Sequence, residues 1–438
     1  MVQGIIILVF MLIMMALIIT RKLPTVVALI LIGVGVCIIA GVPAIAKDAD
    51  GNNIGFFDTV IVSGATKLAA NIMLALFGSW LGQVMNATGI TKTMIKKGAE
   101  LGGDKTLVVQ IILLTISALL FTTISGLGGT IMVGTIVLPI LMAVGVDKVS
   151  AAITLLMAKG VGATMSQADN SGFAAIVGAD FQTVYHYGLM LGGLFFVAGI
   201  VLVCIRHKKY GKKFAFSAPA KAEAEEESPF LVKGVMGALA MLTPIIPIVL
   251  VAIFKFPVIP AMLIGIIWAL LTTCYKAKWS RTMSMLTKTL YDGINNYAPA
   301  MALMVAIGML MNGVNNATVS ACLAPFMQAI VPKTPVVIAI FFALLAPLCL
   351  YRGPFNLYGM GAGIAALVVG LGLMTPIAAM VGFVTVAVMQ QSSCPTNTQN
   401  VWTSGFVGED PTKVTLSMMP VVWPAIAIMV VIGTIIYL

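Results

Sequence analysis

The sequence predicts an all-α integral membrane fold of two inverted repeats, each with about five transmembrane helices plus one re-entrant hairpin, and with helices broken inside the membrane. Three observations predict it. The composition is too apolar for a water-soluble core, short motifs recur in the same order about 230 residues apart, and Gly, Pro, Ser and Asn cluster inside otherwise apolar runs.

The chain has 438 residues, of which 60% are hydrophobic and only 9% charged, with a mean hydropathy of +1.08. A soluble domain of this length cannot hide so much apolar surface, so lipid is the expected solvent. A bilayer core about 30 Å thick takes about 20 apolar residues per helix. The run from Gly4 to Thr20 is the first of ten or more such stretches, and it reads as a helix rather than a cleaved leader because it lacks a basic start and an A-x-A exit. The net charge of +10 comes from Lys and Arg in short loops between apolar runs, where they act as orientation signals rather than as a nucleic-acid surface. The cysteines Cys37, Cys204, Cys274, Cys322, Cys349 and Cys394 are scattered without C-x-x-C spacing and read as small packing residues.

Duplication is visible in four ordered matches. KLPTVVALILIG from Lys22 is echoed by KFPVIPAMLIG from Lys255, and FGSWLGQVMNAT from Phe77 by IGMLMNGVNNAT from Ile307. KTLVV from Lys105 recurs as KTPVV from Lys333, and GAD at Gly178 as GED at Gly408. These divide the chain into a first repeat over 1–205, a cytoplasmic linker over 206–230 and a second repeat over 231–438. The linker is basic at first and then Ala/Glu-rich, and its Lys/Arg cluster belongs on the cytoplasmic side. Counted from there, Arg21 and Lys22 fall inside, the Asp48/Asp50 loop outside, and Lys92, Lys96, Lys97 and Lys105 inside. Lys255, the counterpart of Lys22, falls outside, so corresponding segments face opposite ways and both termini lie outside.

Inversion needs an odd number of crossings per half. The first half is expected to cross at 3–20, 24–45, 68–89, 149–179 and 182–205, with a hairpin at 106–146. The second is expected to cross at 231–253, 257–275, 297–317, 376–406 and 414–437, with a hairpin at 334–373. Stretches 55–67 and 281–296, with Asp58 and Asp292, read as interfacial helices leading into the third crossing of each half.

A helix in lipid must satisfy its own backbone, so a polar, Gly/Pro-rich break inside an apolar span marks a place where ligand, water or protein completes the hydrogen bonding. Four breaks stand at matching positions, as in transporters whose discontinuous helices meet at the midplane. The first hairpin tip carries Ser125, Gly126, Gly128, Gly129 and Thr130; the second carries Arg352, Gly353, Pro354 and Asn356. Helix N-termini at such tips offer free N–H groups and a positive dipole end to an anion. Close helix packing through small residues competes with that reading at the glycines. The fourth crossing carries Ser166, Gln167, Asp169 and Asn170, and the ninth Ser392, Ser393, Thr396, Asn397, Thr398 and Asn400. Hydroxyls and amides at this density suit a hard cation such as Na⁺ or the hydroxyls of a polar substrate.

Arg352 is costly to hold in a membrane, and its planar fork fits a carboxylate. Asp169 is placed to carry a proton or coordinate a cation, together with Ser166, Asn170, Ser393 and Thr396; pairing with Arg352 is its structural alternative. His186 reads as a satisfied interfacial histidine. The chain has two histidines and no Ser/His/Asp set, metal-ligand cluster or nucleotide loop, so no enzyme chemistry and no cofactor are expected beyond Na⁺ as a coupling ion.

At these residues the sequence resembles the ion transporter superfamily, which includes dicarboxylate, citrate and gluconate symporters. ISALLFTTISGLGGTIMVGTIVLPI looks like that group's first re-entrant hairpin, although Gly126 stands where the group's Ser-Asn-Thr tip has Asn. FGSWLGQVMNATGITKTMIKKGAELGGDK and IVGADFQTVYHYG are similar to gluconate-type permeases. The resemblance implies an elevator-type carrier, usually a homodimer of the inner membrane, in which hairpins and broken helices move against a scaffold of early helices. The function expected is cation-coupled symport of a small organic anion such as a carboxylate or sugar acid. The alternative is a cation/proton antiporter using Asp169, against which Arg352 argues, since a cation site gains nothing from a fixed positive charge.

Overall fold

A computed structural model describes residues 2–20, 22–47, 53–103, 105–210 and 234–438. The readings made for Arg21, Asp48, Asp50 and the linker beyond Tyr210 lie outside the described residues. Among the described residues the regular structure is helical, apart from one isolated bridge between Lys47 and Asn53. Among the described residues seven helices are long and apolar enough to cross a membrane, eight when the bent pair Lys148–Met165 and Gln167–Val177 counts as one span.

The first half runs α1 (Val2–Ile19), α2 (Thr25–Ala40), α3 (Ala69–Ala87), α4 (Ile90–Gly102), α5 (Thr106–Phe121), α6 (Gly126–Ala143), α7 (Lys148–Met165), α8 (Gln167–Val177) and α9 (Phe181–Tyr210). The second half runs α10 (Val235–Ala240), α11 (Ile245–Ala252), α12 (Val258–Thr273), α13 (Trp279–Val314), α14 (Ala317–Ile330), α15 (Pro335–Leu345), α16 (Met360–Gly370), α17 (Thr385–Ser393), α18 (Thr398–Val407) and α19 (Pro411–Tyr437). A 3₁₀ turn, Ala346–Arg352, follows α15, and short helical turns over Pro376–Ala379 and Met380–Val384 lead into α17.

The recurring GAD and GED motifs have a local physical meaning. Gly178 and Gly408 end α8 and α18 in the left-handed conformation, at φ +68° and +73°, which glycine adopts without steric cost. The Asp two residues later starts the next helix: Asp180 accepts from the Thr183 N–H, and Asp410 from the N–H groups of Thr412 and Lys413. The ends of the two broken spans also meet crosswise. A side chain at Gly178 would touch Val369, just ahead of the second span, whereas one at Gly408 would approach Lys148, the first residue of α7.

The halves are sewn together where α2 and α3 pack on α13. At Gly308 a Cβ would sit 2.2 Å from the Gly64 carbonyl oxygen, so only glycine permits this approach of backbones. Beside it Lys67 Nζ donates to Asn312 Oδ1 (2.7 Å), and Asn312 Nδ2 donates to the Thr59 carbonyl (2.8 Å).

Three segments differ from the expectation. The 231–253 crossing is, within its described part, two short helices, α10 and α11, because the turn at Met241–Pro244 interrupts it. The stretches expected as separate interfacial helices run into their crossings: Phe57–Ala87 forms one span, and α13 continues for 36 residues through Pro299. The Lys-rich segment after α3 and its counterpart after α13 are helices, α4 and α14, rather than loops.

Candidate functional site

The first broken span turns by 61° at Ser166, whose extended backbone (ψ 130°) stops α7 and caps α8. Ser166 Oγ accepts from the Asp169 N–H at 3.4 Å. Carbonyls freed by the break are taken up by Asn170, whose Nδ2 donates to the oxygens of Thr164 (2.8 Å) and Ser166 (2.7 Å). Lipid supplies no donors, so these two bonds are what make the break affordable.

The second broken span opens between Ser393 and Thr398 and is closed in the same way. Asn397 Nδ2 donates to the Gln390 carbonyl (2.7 Å), and Asn400 Nδ2 to that of Ser392 (2.9 Å). Thr415 of α19 donates to the Ser393 carbonyl at 2.7 Å. The Gln390 side chain then donates to Asn397 Oδ1 (3.3 Å), which leaves Gln390 Oε1 buried without a partner.

Both hairpins turn at their expected tips. Between α5 and α6, Ser125 takes an extended conformation and Gly126 a φ of +75°. Between α15 and α16 the chain passes through two consecutive left-handed non-glycine residues, Tyr351 (φ +55°) and Arg352 (φ +62°). Each costs roughly 1–2 kcal/mol, and surrounding bonds hold them. Asn356 Nδ2 donates to the Cys349 carbonyl (2.8 Å), Asn356 Oδ1 accepts from the Tyr358 N–H (2.9 Å), and Arg352 Nη1 donates to the Tyr358 carbonyl (3.0 Å). Strain of this kind gathers where a side chain must be aimed.

All four breaks contribute to one cavity of about 300 Å³. Ser125 and Gly126 come from the first tip, Asp169 from α8, Arg352 and Tyr358 from the second tip, and Asn397 and Thr398 from the start of α18. Lys159 of α7, Tyr297 and Asn296 of α13, Gln390 and Gln391 of α17, Thr25 of α2 and Gln399 of α18 complete the polar lining. The N-termini of α6 and α18 both open onto this space, so unpaired N–H groups and positive dipole ends converge there. Two basic side chains, Lys159 and Arg352, share the cavity with one acidic side chain, Asp169. The Tyr358 hydroxyl donates to Asp169 Oδ1 at 2.5 Å, tying the second hairpin to the first broken span. Lys159 is 5% exposed, and its Nζ stands 5.5 Å from the centre of the Phe121 ring.

The remaining sequence candidates support this cavity from outside its lining. Gly128 packs on α13, where a Cβ would come within 2.1 Å of Asn296 Oδ1, and Gly129 packs on Ile124. Thr130 bonds back to the Gly126 carbonyl (3.1 Å), and Gly353 N–H donates to the Leu350 carbonyl (3.0 Å). Asn356 is spent on backbone, Asn170 gives its Nδ2 to backbone while its Oδ1 is buried without a partner, Ser166 is a cap, Ser393 lies beside Ser392 Oγ (3.0 Å), and Thr396 lies beside Cys394 Sγ (3.1 Å). Of the residues expected to hold a coupling cation, Asp169 lines the cavity, whereas Ser166, Asn170, Ser393 and Thr396 are outside its lining. Lys159, Tyr358, Gln390 and Gln391 are additions. Lys159 had a plain signal, a single charge within ITLLMAKGVGATM, which in a membrane is functional by default.

No family model matches the chain, and no curated protein matches it in sequence. Solved structures are similar to it in fold. The YdaH transporter of Alcanivorax borkumensis superposes with a TM-score of 0.57 at 12% identity, covering 99% of this chain and 97% of that one. MtrF of Neisseria gonorrhoeae, from a class of antimetabolite efflux pumps, superposes with a TM-score of 0.54 at 12% identity, covering 95% of each. The chain therefore shares the helical fold of these two transporters, and among its described residues seven helices are long and apolar enough to cross a membrane. These neighbours belong to a different family from the citrate- and gluconate-type permeases that the motifs resemble.

Proposed function

We propose that this chain is a secondary active transporter that binds a small organic anion in the cavity at the four breaks and carries it by alternating access, coupled to H⁺ or Na⁺ through Asp169. The observation that carries the reading is the convergence of Lys159, Arg352 and two helix N-termini on a cavity with a single acid. Buried positive charge is costly and is retained for a partner of opposite sign. A volume of about 300 Å³ stands at the small end of ligand sites, which suits a carboxylate or sugar acid.

In this reading the chain is an inverted repeat. Matching element order in the halves and the crosswise approach of Gly178 to Val369 and Gly408 to Lys148 support it. The hairpins with α7, α8, α17 and α18 form the unit that moves, against α1–α3 and α12–α13 as scaffold and homodimer surface, in an elevator motion. A cation/proton antiporter is disfavoured, because Lys159 adds a second positive charge beside Asp169. The similarity of fold to MtrF, from a class of efflux pumps, favours one variant of the reading, export of the anion, for which exchange against protons is the simplest coupling through Asp169.

Proteoliposomes test this. Symport gives uptake of organic acids driven by an inward H⁺ or Na⁺ gradient, whereas exchange gives uptake driven by an outward proton gradient. Arg352→Ala is expected to reduce either flux at least tenfold; an unchanged flux removes the anion site from Arg352 and ends the reading.

A further inference from the structure

A second cavity, of about 380 Å³, shares no residue with the polar one, and every residue that lines it is apolar. Met11 and Met15 of α1 with Leu323 and Met327 of α14 form one wall, and the second hairpin forms the other through Phe342 and Ile364. An apolar cavity does not hold water, and one left void forfeits the dispersion contacts of its lining. This one is a slot open along one side: Leu12, Ile330 and Leu348 line it and are 56%, 61% and 45% exposed. Ile13 and Leu344, adjacent to lining residues on α1 and α15, are exposed as well, so the rim is apolar too. The hairpin arm beside it, Pro335–Arg352, is one of the spans long and apolar enough to cross a membrane, so the slot opens onto lipid.

The ends of the slot define the shape of its occupant. Pro332 and Met374 line it at the base of the hairpin, and Pro354 and Phe355 line it at the tip. Between base and tip the 11 residues of α15 rise about 16 Å. Half of a bilayer core about 30 Å thick is about 15 Å, so the slot is one leaflet deep. A volume of about 380 Å³ over that depth gives a cross-section of roughly 24 Å², whereas a helix about 10 Å across needs roughly 80 Å². The space therefore fits a single hydrocarbon chain and is too narrow for a helix of a second copy. Phe355 closes the inner end, with its ring centre 5.0 Å from that of Phe342 and 5.7 Å from that of Phe383. At the outer end Lys333, directly after Pro332, is exposed. Between Ala317 and Gln391 the only charged side chains are Lys333 and, at the tip, Arg352. A cation at the membrane surface with no acid near it in the chain attracts an anionic headgroup.

We propose that this slot binds one acyl chain of an anionic phospholipid from the leaflet at the hairpin base, with the phosphate at Lys333. Native mass spectrometry of the full chain, released from nanodiscs of phosphatidylglycerol and phosphatidylethanolamine under activation that strips loosely held lipid, tests this. The wild type is expected to retain one phospholipid per chain, phosphatidylglycerol in preference to phosphatidylethanolamine. Met327→Trp, and Ile364→Phe as a filling change on the opposite wall, are expected to lower the retained fraction roughly tenfold by taking the space of several methylenes. A cooperative melt like that of the wild type identifies the variants that fold. Lys333→Gln is expected to keep the lipid and lose the headgroup preference. No retained lipid in the wild type, or retention unchanged in a folded filling variant, overturns the proposal. So does a wild-type dimer that Met327→Trp dissociates, since a second copy would then cover the slot, and so does retention of added oleate in place of phospholipid, which would make the ligand a free fatty acid.

Discussion

The two broken spans share a backbone device and differ in chemistry. In each, asparagines at the break or within its next helical turn return their amides to carbonyls that the break set free: Asn170 to Thr164 and Ser166, Asn397 and Asn400 to Gln390 and Ser392. The first span also places Lys159 and Asp169 on the cavity, whereas the second contributes only amides and hydroxyls from Gln390 to Gln399. The hairpins invert this allocation, with small residues at the first tip and Arg352 at the second. What repeats is the means of opening a helix in lipid, which each copy needs for the fold. What does not repeat is charge, which one cavity needs only once.

Asp169 is the sharpest test of that division, because it has no acidic counterpart in the second span. Asp169→Asn is expected to bring gradient-driven accumulation of the transported acid down to background while leaving counterflow exchange measurable in proteoliposomes. The Tyr358 hydroxyl keeps an acceptor in the amide oxygen, so the hairpin contact survives the change. Loss of exchange together with accumulation would show that Asp169 holds the site's geometry rather than its coupling.

The shared device predicts a smaller effect that appears in both halves. Asn170→Leu removes a donor from two buried carbonyls and is expected to cost about 2–4 kcal/mol. Asn400→Leu removes one such bond and is expected to cost about 1–2 kcal/mol. Denaturant unfolding in mixed micelles measures both. A destabilised Asn170→Leu beside a neutral Asn400→Leu would break the comparison, since closure of the break would then matter in one half only.

Much of this geometry was legible because lipid makes backbone breaks conspicuous in sequence. Ser125, Gly126, Asp169, Arg352, Asn397 and Thr398 stand out as polar or small residues where only apolar helix formers are expected, and all six line the cavity. The less legible part has two causes. Residues such as Asn356 and Ser166 are chemically able to bind ligand, and nothing short of coordinates shows that backbone carbonyls and N–H groups already occupy them. Lys159 and Gln390 sit in regular helix at the edges of the polar runs rather than at the breaks themselves, so a search keyed on breaks does not single them out. Helices α4 and α14 escaped for a different reason, because a short segment interrupted by Lys and Gly in α4, or by Pro325 in α14, does not stand out as a crossing until α5 or α1 covers it.

The weakest asymmetry lies far from the cavity, where the two spans begin. Asp147 caps α7 by accepting from the Ser150 N–H, and Arg206 clamps that start by donating to Asp147 (3.0 Å) and Ser150 Oγ (2.9 Å) while lying 4.3 Å from the centre of the Tyr210 ring. The second span begins on Thr375, which accepts from the Ala378 N–H without any arginine. Arg206→Ala is therefore expected to cost about 1 kcal/mol or less, since its partner stays a competent cap and is partly solvated. Asp147→Ala is expected to cost more, about 1–2 kcal/mol, because it removes the cap together with the pair. Neither change touches the cavity, so KM for the transported acid should hold in both. A KM shift in Arg206→Ala as large as that in Arg352→Ala would mean that charge at the rim also shapes the site, and the contrast between shared backbone and unshared charge would have to be drawn over the whole transport unit.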